Sequence, residues 1–96
     1  MTEKKMYVLV LEKLSHSQRA VQGCHALAQY LLQKPKTKWP NGTLVLLKIK
    51  NEQELSDWHK HLGGDSICFR EPDIGNQMTA LACVSDGKEF RELRLL

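Results

Sequence analysis

The chain has 96 residues, 42% hydrophobic and 26% charged, which is the make-up of one globular domain with a modest core and excludes a disordered or multi-domain chain. Its formal net charge is +3, from 14 Lys and Arg against 11 Asp and Glu, so an anionic partner such as a nucleic acid is permitted but not demanded. No apolar run approaches the ~20 residues of a membrane span, and the short run behind the charged start lacks a cleavage site, so a cytoplasmic protein with no membrane partner is expected.

Met6-Tyr7-Val8-Leu9-Val10-Leu11 is a continuous apolar run, the pattern of a strand buried on both faces of a sheet. Ser15 or Ser17 caps the helix that follows. That helix runs to about Gln33, because Pro35 drives Lys34 out of helical geometry. Ala20, Val21, Cys24, Leu27, Ala28, Leu31 and Leu32 recur at three and four residues, which predicts a core-facing stripe. Gln18, Gln22, His25 and Gln29 recur at four, three and four. At about 100° per residue they form a polar stripe beside the apolar one. Polar groups at the rim of a core line clefts.

Pro35 to Gly42 reads as a loop and Thr43 to Ile49 as a second strand. Asn51 caps a second helix, with Glu54 reaching back and Leu55, Trp58, His59 and Leu62 as its apolar stripe. Gly63-Gly64 end it. Ser66 to Phe69 and Met78 to Val84 are short strands, close enough together to be antiparallel. Asp86 caps a last helical turn through Phe90 and Leu93, leaving Leu95-Leu96 as an apolar tail. The order β-α-β-α-β-β-α predicts a single α/β domain over residues 1–96. Its three layers are a mixed four-stranded sheet flanked by helices.

Cys24, Cys68 and Cys83 are odd in number, widely spaced and set in apolar segments, so neither a disulfide framework nor a zinc site is expected. They read as small buried hydrophobes. No metal and no cofactor are expected, since phosphate-cradling glycine loops and nucleophile-elbow serines are missing too.

Three constellations carry chemistry. Gln18, Gln22 and His25 lie near a helix start, where free N–H groups attract phosphates and developing oxyanions, and a histidine there can act as a base near neutral pH. The polar segment Arg70 to Thr79 joins two strands, a usual ligand position in α/β folds. There Asp73 can orient a histidine or a water, and Asn76, Gln77 and Thr79 can donate to a carbonyl or phosphate. Lys34, Lys36 and Lys38 beside Trp39 suit phosphate contact with base stacking, and Lys48 and Lys50 share one strand face.

Taken together, Tyr7 to Val10, Ala20-Val21-Gln22-Gly23-Cys24-His25-Ala26, Leu44 to Lys48, the polar loop into Thr79-Ala80-Leu81-Ala82 and the closing Leu93 to Leu96 resemble the type 2 (archaeal- and eukaryotic-type) peptidyl-tRNA hydrolases and their shorter relatives. The resemblance spans nearly the whole chain in order, and the Ala-x-Gln-x-x-His-Ala segment is its most specific part. It implies a four-stranded mixed sheet and cleavage of the ester joining a peptide to tRNA, with Gln22, His25 and Thr79 matching by position and Asp73 more loosely. The chain departs from the family in two places. Gln18, with Arg19 beside it, stands where the family has a functional lysine, and Glu71 to Asn76 replaces the family's Asp-Ala-Gly loop.

The leading expectation is therefore a carboxylic-ester hydrolase, in which water is activated by His25 or by the 70s loop. Gln22 and helix N–H groups would steady the oxyanion, while Arg19, Lys36 and Lys38 hold RNA phosphates. The alternative is a binding module, or a phosphodiesterase, for RNA or a small or cyclic nucleotide at the same cleft, as a monomer or a homodimer.

Overall fold

A central strand of a sheet covered on both sides needs apolar side chains on both of its faces. Met6 to Leu11 meet that requirement, since all six are buried. In the computed structural model, which describes residues 4–96, this strand (β1, Lys5–Leu11) is followed by a helix (α1, His16–Gln33), a strand (β2, Leu44–Ile49) and a second helix (α2, Glu52–Leu62). Three further strands follow: β3 (Ser66–Glu71), β4 (Gln77–Ser85) and β5 (Arg94–Leu95). The sheet order is β3-β4-β1-β2-β5. β1 and β2 are parallel and joined through α1, while the other three pairings are antiparallel. No helix among the described residues is long and apolar enough to cross a membrane.

The sheet has five strands where four were expected. Leu95 and Arg94 pair with Leu47 and Lys48, and the Leu96 N–H donates to the Leu46 carbonyl at 3.0 Å. The expected apolar tail is therefore partly an edge strand, and two residues are too few to show any alternation. The expected last helix is only a 3₁₀ turn, Lys88–Phe90. Asp86 does accept from the Lys88 N–H at 3.0 Å, but the chain must rejoin the sheet four residues after the turn ends.

Alternation along the strands sorts the side chains into two cores. Tyr7, Leu9, Leu11, Leu47, Ile49, Leu81 and Cys83 pack with Leu55 of α2 and with Phe90. Met6, Val8, Val10, Ala80 and Ala82 pack with Ala26 and Tyr30 of α1. The helices thus lie on opposite faces and the domain has three layers. Asn51 caps α2 as expected, accepting from the Glu54 N–H at 2.9 Å. Ser15, not Ser17, caps α1, accepting from the Gln18 N–H at 3.3 Å.

The facing of α1 overturns the expectation from its apolar stripe. Gln22, Gly23, Ala26 and Tyr30 are buried, whereas Ala20, Val21, Cys24, Ala28, Leu31 and Leu32 are exposed. The helix is turned by roughly 150° from the orientation its apolar spacing predicts. Gly23 explains the choice. A Cβ built there would sit 3.4 Å from Val10 Cγ2 and 3.8 Å from both Val8 Cγ1 and Leu46 Cδ2, so the backbone approaches the sheet too closely for the larger residues of the other face. The cysteines divide accordingly: Cys24 is exposed, Cys68 half-buried and only Cys83 buried. Burial, with the negative charges of Glu89 and Asp65, pushes the Cys83 thiol up to about 12.

Candidate functional site

One irregularity in the sheet builds the site. Strict alternation from Leu81 and Cys83 would send Thr79 toward α2 and Met78 toward α1. The β3–β4 register instead skips Thr79, with Phe69 opposite Ala80 and Arg70 opposite Met78. This one-residue bulge reverses the phase of β4, as bulges do when they re-aim a side chain. Met78 joins the α2 core and Thr79 turns to α1.

Thr79 meets Gln22 there. Its hydroxyl donates to Gln22 Oε1 at 2.6 Å, and both residues are almost fully buried. The amide end of Gln22 donates to Glu71 Oε2 at 2.8 Å and, more weakly, to Gln18 Oε1 at 3.4 Å. One buried glutamine therefore ties α1, β4 and the end of β3 together, and no buried side-chain polar atom among the described residues lacks a partner. Its far end is the Glu71 carboxylate, which is partly exposed. Hydrogen bonds from Gln22 and then from the Asp73 N–H (3.3 Å), helped by the charge of His25, hold that carboxyl below its usual 4.5 against an opposing cost of desolvation. Glu71 is thus fixed in place and ionised at neutral pH.

His25 lies one turn further along α1. Its exposed ring stacks on Phe69, with centroids 4.5 Å apart and planes 8° from parallel. β3 supplies both Phe69 and Glu71 to this side, two residues apart as strand geometry requires. Pro72–Ile74 forms a 3₁₀ turn, and Gly75 (φ 70°) with Asn76 (φ 59°) reverses the chain in left-handed conformations that glycine and asparagine tolerate best. Arg70 Nη1 donates to the Asn76 carbonyl at 3.2 Å, which braces the turn.

Gln18, Gln22 and Thr79 are joined by hydrogen bonds, and His25 stands one turn further along α1 against Phe69. Asp73 is at the site through its backbone N–H, and its side chain is exposed on the turn. Asn76 serves the turn, and Gln77 opens β4 opposite Glu71. The carboxylate at the centre of the site is Glu71, which sequence reasoning read only as part of a loop. The period-two run Ile67, Phe69, Glu71 was the signal that could have found it.

Three roles expected from sequence change. Gln22 is not free to steady an oxyanion, because its carbonyl and its amide are both engaged within the fold. The helix N–H groups are not offered to this site either. Gln22 sits in the second turn of α1, where backbone amides bond within the helix, and the Gln18 and Arg19 N–H groups are taken by Ser15. Nor do the basic residues form one patch. Arg19 donates through Nε, at 3.1 Å, and through Nη2 to the Glu12 carbonyl, while Lys36 and Lys38 lie beyond the other end of α1, about 20 Å away by helical rise. Trp39 is half-buried and donates to the Thr43 carbonyl at 3.0 Å, so it is not a free stacking platform. Lys48 lies 3.9 Å from Glu12. Among the described residues, no three His, Cys, Asp or Glu side chains converge to hold a metal ion.

No family model matches the sequence, and no curated protein matches it. The fold has a solved counterpart: a protein of unknown function from Agrobacterium tumefaciens strain C58, Atu0240, matches 100% of this chain and 99% of its own at a TM-score of 0.68. The two sequences are 12% identical, so the likeness is one of fold alone.

Proposed function

We propose that the Gln22–Glu71–Thr79 cluster is the active centre of a carboxylic-ester hydrolase that releases a peptide from tRNA. The observation that carries this reading is the buried Gln22, which is locked by Thr79 and in turn locks the partly exposed Glu71 carboxylate. Burying an amide is favourable only when its groups are all paired, and here the pairing fixes the orientation of Glu71. Glu71 takes a proton from the water that attacks the ester carbonyl, and the exposed His25 ring returns one to the departing ribose oxygen. Gln22 and Thr79 act as positioning residues.

The test is peptide release from a peptidyl-tRNA by the purified full chain, with Glu71→Gln and His25→Ala alongside. The expected outcome is turnover lowered by ~10²–10⁴ in Glu71→Gln, the range for a lost general base, with the fold retained by circular dichroism. A folded wild-type chain that releases no peptide overturns the reading.

One observation favours a second reading, a module that binds RNA or a small nucleotide without cleaving it. The outer face of the His25 ring, held flat on Phe69, is a platform of the kind on which a base stacks. Nucleotide or RNA affinity that disappears in His25→Ala, without any turnover in the wild type, selects this second reading.

A further inference from the structure

We infer that Glu52, at the start of α2, is a positioning residue for the Glu71 site on the opposite face of the sheet. Its carboxylate holds the Met78 N–H, and through it the bulge that turns Thr79 onto Gln22. Glu52 Oε2 accepts from that N–H at 2.9 Å, across 26 residues of sequence. The bond joins the first residue of α2 to the backbone of β4, one residue before Thr79.

β4 needs such a support at this point. β1 pairs with it only as far as Val10 opposite Ala80, so toward Met78 the strand has a neighbour on one side alone. On that side the register with β3 breaks and skips Thr79. Met78 is only 2% exposed, and a buried N–H must find a partner. Glu52 supplies it. The helix start does not consume this carboxylate, because other groups form the cap. Asn51 Oδ1 accepts from the Glu54 N–H at 2.9 Å, and Glu54 Oε2 accepts from the Lys50 N–H at 3.3 Å. Among the described residues Glu52 makes no ion pair either.

Met78 is therefore gripped twice from one side, by its side chain in the α2 core and by its N–H on Glu52. Successive strand residues point to opposite faces, so holding Met78 toward α2 directs Thr79 at α1. There the Thr79 hydroxyl reaches Gln22 at 2.6 Å, and Gln22 holds Glu71 at 2.8 Å. Glu52, Met78, Thr79, Gln22 and Glu71 thus form one unbroken series of hydrogen bonds and peptide linkage through the sheet, and members of one network couple. This linkage to Glu71 holds whatever the site does. Only its effect on turnover rests on the ester-hydrolase reading.

NMR titration of the Glu71 carboxyl tests it in the full chain, with Glu52→Ala and Glu52→Gln alongside the wild type. Glu52→Ala removes the acceptor, and the Glu71 pKa should rise toward its usual 4.5 as the Gln22 bond loosens. Losing a negative charge would by itself move a nearby carboxyl the other way, so a rise reports the network. Glu52→Gln keeps a carbonyl oxygen for the Met78 N–H and should hold the wild-type value. In the peptide-release assay Glu52→Ala should lower kcat by up to ~10²-fold, the scale of an ångström's misplacement, with KM little changed. Glu52→Gln should restore it. A wild type that releases no peptide removes the ester-hydrolase reading and leaves the titration to decide the linkage. A Glu71 pKa that stays put in folded Glu52→Ala, or rises equally in Glu52→Gln, overturns the inference. Should Glu52→Ala fail to fold, Glu52→Asp takes its place under the same two outcomes, since it keeps the charge at the helix start and is one methylene short of Met78.

Discussion

The two helices cover opposite faces of one sheet with opposite chemistry. α2 packs Leu55, Trp58 and Leu62 into a core of Leu9, Leu47, Ile49 and Leu81. α1 sets Gly23 and Ala26 against Val8, Val10 and Ala80, and it buries a glutamine beside them. Large side chains hold α2 off the sheet and fill the gap; small ones let α1 close onto it. Close approach is what brings Gln22 within 2.6 Å of Thr79 and 2.8 Å of Glu71. The α2 side is built for burial and the α1 side for reach, and the candidate site lies where the reach is.

The sharpest way to break this comparison is to shorten one leucine on each helix. Leu55→Ala removes a fully buried side chain from the α2 core and should cost about 2–5 kcal/mol, the range for a buried leucine cavity. Leu32→Ala removes a leucine that is 77% exposed and should change stability by less than about 0.5 kcal/mol at concentrations where the chain is monomeric. Urea titrations of both variants check the pair. Equal losses would mean that α1 is seated by its apolar stripe after all.

A middle-sized effect separates a network from a set of contacts. Thr79→Val removes the hydroxyl that donates to Gln22 Oε1 and leaves a buried carbonyl without its partner, at a cost of about 1–3 kcal/mol. Gln22→Leu strands the Thr79 hydroxyl at similar cost. With both changed no polar group is orphaned at that contact, so the double variant should lose clearly less than the sum of the singles, a coupling of about 1 kcal/mol or more. Additive losses would show that Gln22 and Thr79 do not act as a unit, and the positioning role given to them would fall.

The same contrast explains what the sequence made legible. Every element whose pattern came from large apolar residues appears where expected: β1, β2, the α2 stripe and its Asn51 cap, and the antiparallel β3–β4 pair. The limits of α1 were readable too, from Ser15 and Pro35. Its facing was not, because periodicity counts apolar residues and gives no weight to a glycine that permits contact. Thr79 was legible as a site residue, but the bulge that aims it at Gln22 has no sequence signal, since it depends on the register of a partner strand. Glu71 was hidden for the opposite reason. A strand reading that stopped at Phe69 left it in a loop, although Ile67, Phe69 and Glu71 already alternated toward α1.

The smallest expected effect lies on the acid side of the stability curve, and it tests whether Glu71 is held as firmly as the network implies. Its folded pKa is depressed, first by the Gln22 amide and then by the Asp73 N–H, with His25 adding in the same direction. A depressed carboxyl stabilises the fold at pH above its unfolded value and loses that contribution as the pH falls through the lowered folded value. Stability should therefore be level from neutrality down to about pH 5 and decline below the usual 4.5. Asp86 is lowered as well, chiefly by the Lys88 N–H, and it titrates in the same window, so the curve of the wild type alone cannot isolate Glu71. The difference between wild type and Glu71→Gln can. The glutamine keeps the shape and forfeits the charge-assisted bond, so the variant should melt lower at neutral pH, and the gap between the two melting temperatures should close as the pH drops from about 4.5 toward 2. A gap that stays constant over that range would mean that the folded and unfolded chains hold the Glu71 proton equally, and that Gln22 does not grip an ionised carboxylate.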